Sequence, residues 1–501
     1  MTLTDSTQQH QAPTYGNWRR PRSPGLGRLG LGGTIALFSG LILVIIGMAI
    51  NFVIGLVFGL VVAVFMAPLW VRDRWGRNGY EAMAEQVGWV RQRRSKRHLY
   101  VAGPLSRTPV TKCALPGLAA RLEASEAHDA HGRPFVVLHH PRPGHVSTVM
   151  ECSPSGDALV DPDDIDQWVA GWGAWLAGLA HEAGVVGAQV SVETAPDTGV
   201  RLRQSVESRL SPNAPELASA TMREVIATYP GGSPSTTCRV AITWTRARAN
   251  ARRRTVDDMA VEIGSRLPEL CTGLAIAGAG AARPMSLGEL SAAIRVAYDP
   301  EVATVVDEAG GAGLVDWDDA GPVSAEERRG AYLHDGATSV SWVMGEAPRG
   351  AVRSSILRRL LAPHREIARK RVTLLYRPHS PGDAAQIVDN DVVDAMFQAT
   401  QRKVTRARDS LVVRAAAKAA EEEALGAGLV RFGMIVTATM PGLDADAVNR
   451  CVSVVEHLGL ASRVRLRRAW RSQATTFTAG LPLGLVLPAH LALPGDWRER
   501  V

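Results

Sequence analysis

The sequence predicts an α/β (α+β) protein in which an N-terminal transmembrane helical hairpin precedes cytoplasmic α/β domains. These domains are expected to be ferredoxin-like split units rather than a doubly wound sheet. Three observations predict this. Residues 33–70 contain no charged side chain over 38 consecutive positions. Beyond residue 100, short apolar or alternating runs interleave with amphipathic stretches, as in layered sheets and helices. Charge is also segregated: residues 1–100 carry 12 basic and 4 acidic side chains, and the remaining residues carry 44 and 45.

Taken in order, residues 1–30 are polar and rich in Pro, Gly and Arg, and read as a disordered cytoplasmic tail. The uncharged run follows. As one helix it would reach roughly 57 Å, nearly twice the ~30 Å hydrocarbon core, so it must fold back. Its natural break is Gly47-Met48-Ala49-Ile50-Asn51, leaving spans at Gly32–Met48 and Phe52–Trp70 with Gly47 and Asn51 at the outer bend. Arginines flank it: Arg19, Arg20, Arg22 and Arg28 before; Arg72, Arg74, Arg77, Arg91, Arg93, Arg94, Lys96 and Arg97 after. Positive charge stays on the cytoplasmic side, which predicts the plasma membrane as the location, with both termini inside. Trp18, Trp70 and Trp75 suit the interface. The run is too long for a secretory signal and no small-residue cleavage site follows it. Residues 71–100 read as a basic juxtamembrane helix, a collar that attracts anionic lipid.

Two cytoplasmic α/β subdomains are expected, 101–300 and 301–501. Strands are predicted at Phe135–His140, Val146–Cys152, Ala188–Thr194, Arg239–Thr245, Val340–Met344, Arg371–Tyr376 and Phe432–Thr439, with a short apolar stretch at Leu274–Ala277. Asp161-Pro162-Asp163-Asp164 marks the start of a helix of about 20 residues, its acids at the positive end of the dipole. Further helices are expected near 200–210, 214–228, 255–269, 286–298, 352–361 and 443–458. The breaker-poor stretch 383–424 reads as a long helix or helical hairpin.

Candidate sites are mostly rejected on their chemistry. Gly25-Leu-Gly27-Arg-Leu-Gly30 has the dinucleotide-binding spacing but lacks the strand before it and the sheet-packed helix after it. A Walker-type loop needs Gly-Lys-Ser/Thr, and the dipeptide Gly-Lys is absent from the sequence. Balanced charge beyond residue 100 gives no bulk reason to bind nucleic acid directly. His128, His131, His139, His140 and His145, with Asp129, lack a fixed metal-ligand spacing and read as surface histidines at a turn. Trp168, Trp172 and Trp175 read as a buried helical stripe. Arg246, Arg248, Arg252, Arg253 and Arg254 read as a solvated cationic loop. Five separated cysteines fit reduced thiols. No catalytic constellation, cofactor or metal site is expected.

Several segments resemble an actinobacterial membrane-protein family associated with type IV secretion and conjugation. They are Tyr15-Gly-Asn-Trp-Arg-Arg-Pro-Arg-Ser-Pro-Gly-Leu-Gly, Trp168-Val-Ala-Gly-Trp-Gly-Ala-Trp-Leu, Asp335-Gly-Ala-Thr-Ser-Val-Ser-Trp and Arg371-Val-Thr-Leu-Leu-Tyr-Arg-Pro. A fifth, Arg467-Arg-Ala-Trp-Arg-Ser-Gln-Ala-Thr-Thr-Phe-Thr-Ala-Gly-Leu-Pro-Leu-Gly, is similar to the junction between the amino-terminal and motor domains of conjugation ATPases. The hairpin resembles the small two-helix inner-membrane subunit that partners those ATPases. The resemblance implies a non-enzymatic inner-membrane scaffold that anchors and docks a separate secretion or conjugation ATPase, together with other inner-membrane subunits of a multi-subunit complex. The alternative is the membrane-anchored peripheral subunit of a type VII secretion complex, which also joins two membrane helices to an α/β domain.

Overall fold

The computed structural model describes residues 15, 16, 18, 31–71, 73–103, 106, 112–156, 159–228, 233–247, 254–311, 313–348, 350–400, 407–442 and 444–491. Most of the expected tail lies outside them, as do residues 25–30, Arg72, Arg248, Arg252 and Arg253.

The hairpin consists of α1 (Leu31–Ile50) and α2 (Phe52–Trp70), joined by Asn51 alone. Asn51 makes the turn by leaving helical geometry (φ −160°, ψ 135°) while its side chain accepts the Val53 N–H at 2.9 Å. Gly47 is not at the bend. It lies inside α1, where a Cβ would meet the Phe58 ring at 2.6 Å and the Gly55 backbone at 3.2 Å. Glycine there lets the two helices touch. The expected helix over 71–100 is shorter: Asp73 ties a turn by accepting the Trp75 and Arg77 N–H groups, and α3 spans Gly79–Arg94. Residues Leu99–Val101 are strand β1.

Two similar successions of elements follow. The first is β2 (Glu123–His128), β3 (Pro134–His140), β4 (His145–Ser153), α4 (Pro162–His181), β5 (Val185–Pro196), α5 (Val200–Glu207), α6 (Glu216–Thr228), β6 (Pro234–Thr245), α7 (Val256–Leu274), β7 (Ala281–Pro284) and α8 (Leu287–Tyr298). A short α9 (Ala303–Glu308) connects to the second: β8 (Ser324–Glu327), β9 (Tyr332–His334), β10 (Ala337–Glu346), α10 (Arg358–Leu361), β11 (Arg369–Pro378), α11 (Pro381–Thr400), α12 (Ala407–Ala424), β12 (Val430–Pro441), α13 (Ala445–Ala461), β13 (Arg465–Arg468) and α14 (Gln473–Gly480). The stretch 383–424 is therefore divided between α11 and α12, which pack against each other. The apolar stretch at 274–277 ends α7 rather than forming a strand, and β7 follows it. Asp161 holds the N-cap position of α4, but its side chain makes no capping bond.

The strands of both halves join one antiparallel sheet in the order β1-β8-β9-β10-β12-β11-β5-β6-β4-β3-β2, with β7 beside β4 and β13 beside β10. The two halves use the same internal order, β7-β4-β6-β5 and β13-β10-β12-β11. Their registers also correspond. Ser147 faces Thr243 and Ser339 faces Thr439. Three residues later in each strand, Met150 faces Pro284 and Trp342 faces Arg468. Ser191 and Thr373 are equivalent by this rule and face each other across the β5–β11 seam. A pseudo-twofold axis thus passes between two hydroxyls 3.3 Å apart.

One face of the sheet is covered by α4 and α7 over the first half and by α10 and α13 over the second, with Ile242, Trp244, Ile263 and Leu267 in one core and Trp342, Val436, Val455 and Leu458 in the other. The opposite face is covered by α8, α14 and the segment after it, where Val149, Ile294, Tyr298, Phe477, Leu481 and Leu485 pack together. The seam carries a buried ion cluster. Glu193 meets Arg369 at 3.0 Å, Arg371 at 3.2 Å and Arg239 at 3.8 Å. Burial pushes its carboxyl up, but the three guanidiniums outweigh that and hold it at about 2.

Candidate functional site

The hairpin presents apolar side chains on its whole circumference. Ile50, Phe52, Leu60 and Phe65 are all more than half exposed. Only 11% of the Gly33–Ile50 window and 6% of the Phe52–Trp70 window is buried, so neither helix is the core helix of a soluble domain. Both are long and apolar enough to cross a bilayer. Trp70, 74% exposed at the end of α2, fits an interfacial position. The other two interfacial candidates point elsewhere. Trp18 packs edge-on against Phe432 with ring centres 6.0 Å apart, and Trp75 lies against Gly345 between Arg74 and Arg465.

The collar splits in two. Arg77 turns inward onto Asp73 at 2.9 Å and Glu85 at 2.8 Å, and Arg93 covers the buried Trp89 ring. Arg91, Arg94, Lys96 and Arg97 remain exposed. The tail is anchored where it is described: Tyr15 exchanges backbone hydrogen bonds with Val352 at 2.8 and 2.7 Å. A Cβ on Gly16 would lie 2.9 Å from the Gly350 carbonyl, so this close approach suits glycine.

The segment 473–487 crosses the seam as a strap. The sheet face beneath it bears Ser and Thr where the other face bears Val, Ile and Trp, and these hydroxyls capture the strap's backbone. Thr373 donates to the Gly480 carbonyl at 2.8 Å and Thr243 to the Gly484 carbonyl at 2.7 Å. Gln189 donates to the Leu481 carbonyl at 2.6 Å and accepts the Gly484 N–H at 3.1 Å. Gln473 accepts the Ser341 N–H at 2.8 Å and donates to its carbonyl at 3.1 Å. Gly484 (φ +66°) has no room for a side chain, since a Cβ would meet Thr243 at 2.5 Å. A cavity of about 360 Å³ opens beside the strap, lined by Gln189, Tyr376, Phe432, Leu485 and Val486 among others.

The histidines correct the sequence reading. His140 and His145 are buried within paired strands, not displayed at a turn. His140 Nε2 meets the Ser147 hydroxyl at 3.1 Å, which meets Thr243 at 2.8 Å. The second half repeats this arrangement: His334 Nε2 meets Ser339 at 2.7 Å, which meets Thr439 at 2.7 Å. His334 Nδ1 donates to the Tyr298 carbonyl. Burial pushes His140 down to about 3, aided by His145 and His490, and holds His145 and His334 at about 4. These imidazoles are neutral, and those of His140 and His334 are hydrogen-bonding struts. The signal for these two is positional: each closes its strand and meets an inward-facing serine of the next one. His128 and His131 are exposed, and His139 meets Glu123 at 2.9 Å. Asp129 accepts the His131 and Arg133 N–H groups and closes a turn. Among the described residues, no group of three or more His, Cys, Asp or Glu is placed to hold a metal ion.

The tryptophan stripe is core: Trp175 is 9% exposed and stacks on Trp172 at 5.0 Å, which meets the Tyr376 ring edge-on. In the cationic loop, Arg246 donates to the Arg254 carbonyl at 2.8 Å, and Arg254 pairs with Glu262. Both are structural rather than solvated. All five cysteines are free thiols.

A family profile described as a domain of unknown function, DUF8461, matches residues 22–81. The match covers the whole hairpin and reaches the first turn of α3, and it does not extend over the sheet. No curated protein matches the chain.

Proposed function

We propose that the chain is a non-enzymatic scaffold of the plasma membrane, held by the α1–α2 hairpin with both termini cytoplasmic, in a type IV secretion-like conjugation apparatus. Its body docks a separate ATPase and neighbouring membrane subunits. The observation that carries the reading is the hairpin itself: two bilayer-length apolar helices joined by one residue, so that the chain leaves the membrane on the side it entered. The arginine excess on both flanks selects the cytoplasmic side. The body fits a docking platform, because two topologically equivalent halves present one continuous sheet. The order β7-β4-β6-β5 with α4 and α7 on one face, and its counterpart in the second half, support reading each half as a ferredoxin-like unit. The absence of a Gly-Lys dipeptide supports assigning Walker-type nucleotide hydrolysis to a partner rather than to this chain.

The test is affinity purification of the full chain in mild detergent from cells expressing a conjugation-type ATPase. The ATPase is expected to co-elute, and ATP turnover is expected to follow its presence. A chain that elutes alone from cells containing that ATPase, or that hydrolyses ATP unaided, overturns the proposal.

A further inference from the structure

The outward face of α3 carries Tyr80, Met83, Val87 and Val90, followed by Arg91 and Arg94, and all six are exposed. Their three- and four-residue spacing puts them on one stripe of the helix. The opposite face is fixed to the body. Glu85 meets Arg77 at 2.8 Å and Arg471 at 3.9 Å, Trp89 is buried, and Gln92 donates to Glu327 at 2.6 Å. An apolar stripe left in water is unfavourable in proportion to its area.

Two observations say what covers it. The first is continuity with the hairpin. Tyr80 Oη donates to the Phe65 carbonyl of α2 at 2.7 Å, and a Cβ on Gly79 would lie 2.8 Å from the Pro68 carbonyl. Phe65 is about 7.5 Å of helix rise short of Trp70, so the first turn of α3 sits level with the last turn and a half of α2. The second is charge. Val87, Val90, Arg91 and Arg94 share a shallow groove, and among the described residues these two arginines form no ion pair.

We infer that α3 is an interfacial helix. Its Tyr80-Met83-Val87-Val90 stripe lies at the headgroup–acyl boundary, and Arg91 and Arg94 bind lipid phosphates of an anionic leaflet. The inference rests on reading α1 and α2 as bilayer spans. It gives the sheet a fixed seat, since α3 meets lipid with one face and the body with the other.

Nitroxide labels test this on the full chain with Cys113→Ser, carrying V87C, V57C or L217C, in nanodiscs of phosphatidylcholine alone or mixed with phosphatidylglycerol. Collision with a neutral aqueous nickel chelate is measured against collision with oxygen. In anionic discs the label at 87 is expected to meet the chelate several-fold less often than the label at 217, and R91E/R94E is expected to remove that protection. The label at 57 should be shielded in every disc. Equal chelate access at 87 and 217, with 57 shielded, overturns the inference and spares the spanning reading; access at 57 defeats the spanning reading itself. Protection at 87 that ignores headgroup charge and survives R91E/R94E overturns the role given to the arginines.

Discussion

His334 shows how one side chain ties a late element to an early one. Its ring is 1% exposed, donates to Tyr298 at the end of α8 and accepts from Ser339 in β10. Burial holds it at about 4, below the ordinary 6.5, and His140 and His145 are depressed in the same direction. The sign follows. Each ring binds a proton more weakly in the folded chain than in the unfolded one, so the unfolded chain takes up protons that the fold cannot. Their contribution is full above about pH 6.5 and is lost as pH falls toward 4. A fully expressed shift of this size corresponds to about 3 kcal/mol per ring. Denaturant titrations of the detergent-solubilised chain are expected to show midpoints falling steeply between pH 6.5 and 4. A His140→Gln/His334→Gln variant should be weaker at neutral pH and show a flatter slope. An unchanged slope would mean these rings are not the titrating groups.

Among elements, the hairpin was the most legible and the sheet order the least. A long uncharged run is visible without any knowledge of the fold, and both helices are long and apolar enough to cross a bilayer, with ends within a few residues of expectation. Seven strands were also readable, because Val, Ile and Trp either alternate with small or polar residues or, as in β3, run apolar and fill both cores. Short edge strands were not: β2, Glu-Ala-Ser-Glu-Ala-His, is strand only because β3 lies beside it. The β5–β11 seam is set by contacts between residues about 180 positions apart, which local pattern does not encode. The buried histidines were misread because a Pro-Gly turn between them signals surface, whereas their pairing across the strands places them inside. Gly47 was misassigned for a related reason: glycine marks a bend in sequence, but here it marks contact. Gly55 shares that contact, since a Cβ there would run into Met48. Gly55→Leu should therefore force the helices apart, at about 1–3 kcal/mol. A cysteine pair at positions 40 and 62, where a Cβ on Gly40 would approach Val62 at 2.8 Å, reports it. Oxidative crosslinking should be rapid in the parent and strongly reduced with Gly55→Leu; equal rates would mean the contact does not set the crossing.

At the scale of the molecule, the pseudo-twofold arrangement raises the question of whether each half is a separate folding unit. The cores argue against it. Leu481, Leu483 and Leu485 come from the end of the second half, yet they pack with Leu138, Val149 and Ala241 of the first. Tyr298, from the end of the first half, reaches His334 and Phe477 of the second. Each half thus finishes the other's core, and the Glu193 cluster joins β5 and β6 of one to β11 of the other. Left alone, either half would expose apolar surface worth about 25 cal/mol per Å², besides the open edge of β5 or β11. Cutting the chain at the Gly310–Gly311 turn separates the halves without severing an element. Expressed singly, each fragment is expected to aggregate or to unfold without a cooperative transition. Co-expressed, the two should purify together with a single transition near that of the intact chain. A fragment that melts cooperatively alone would show that the strap and the seam are later additions to a self-sufficient unit.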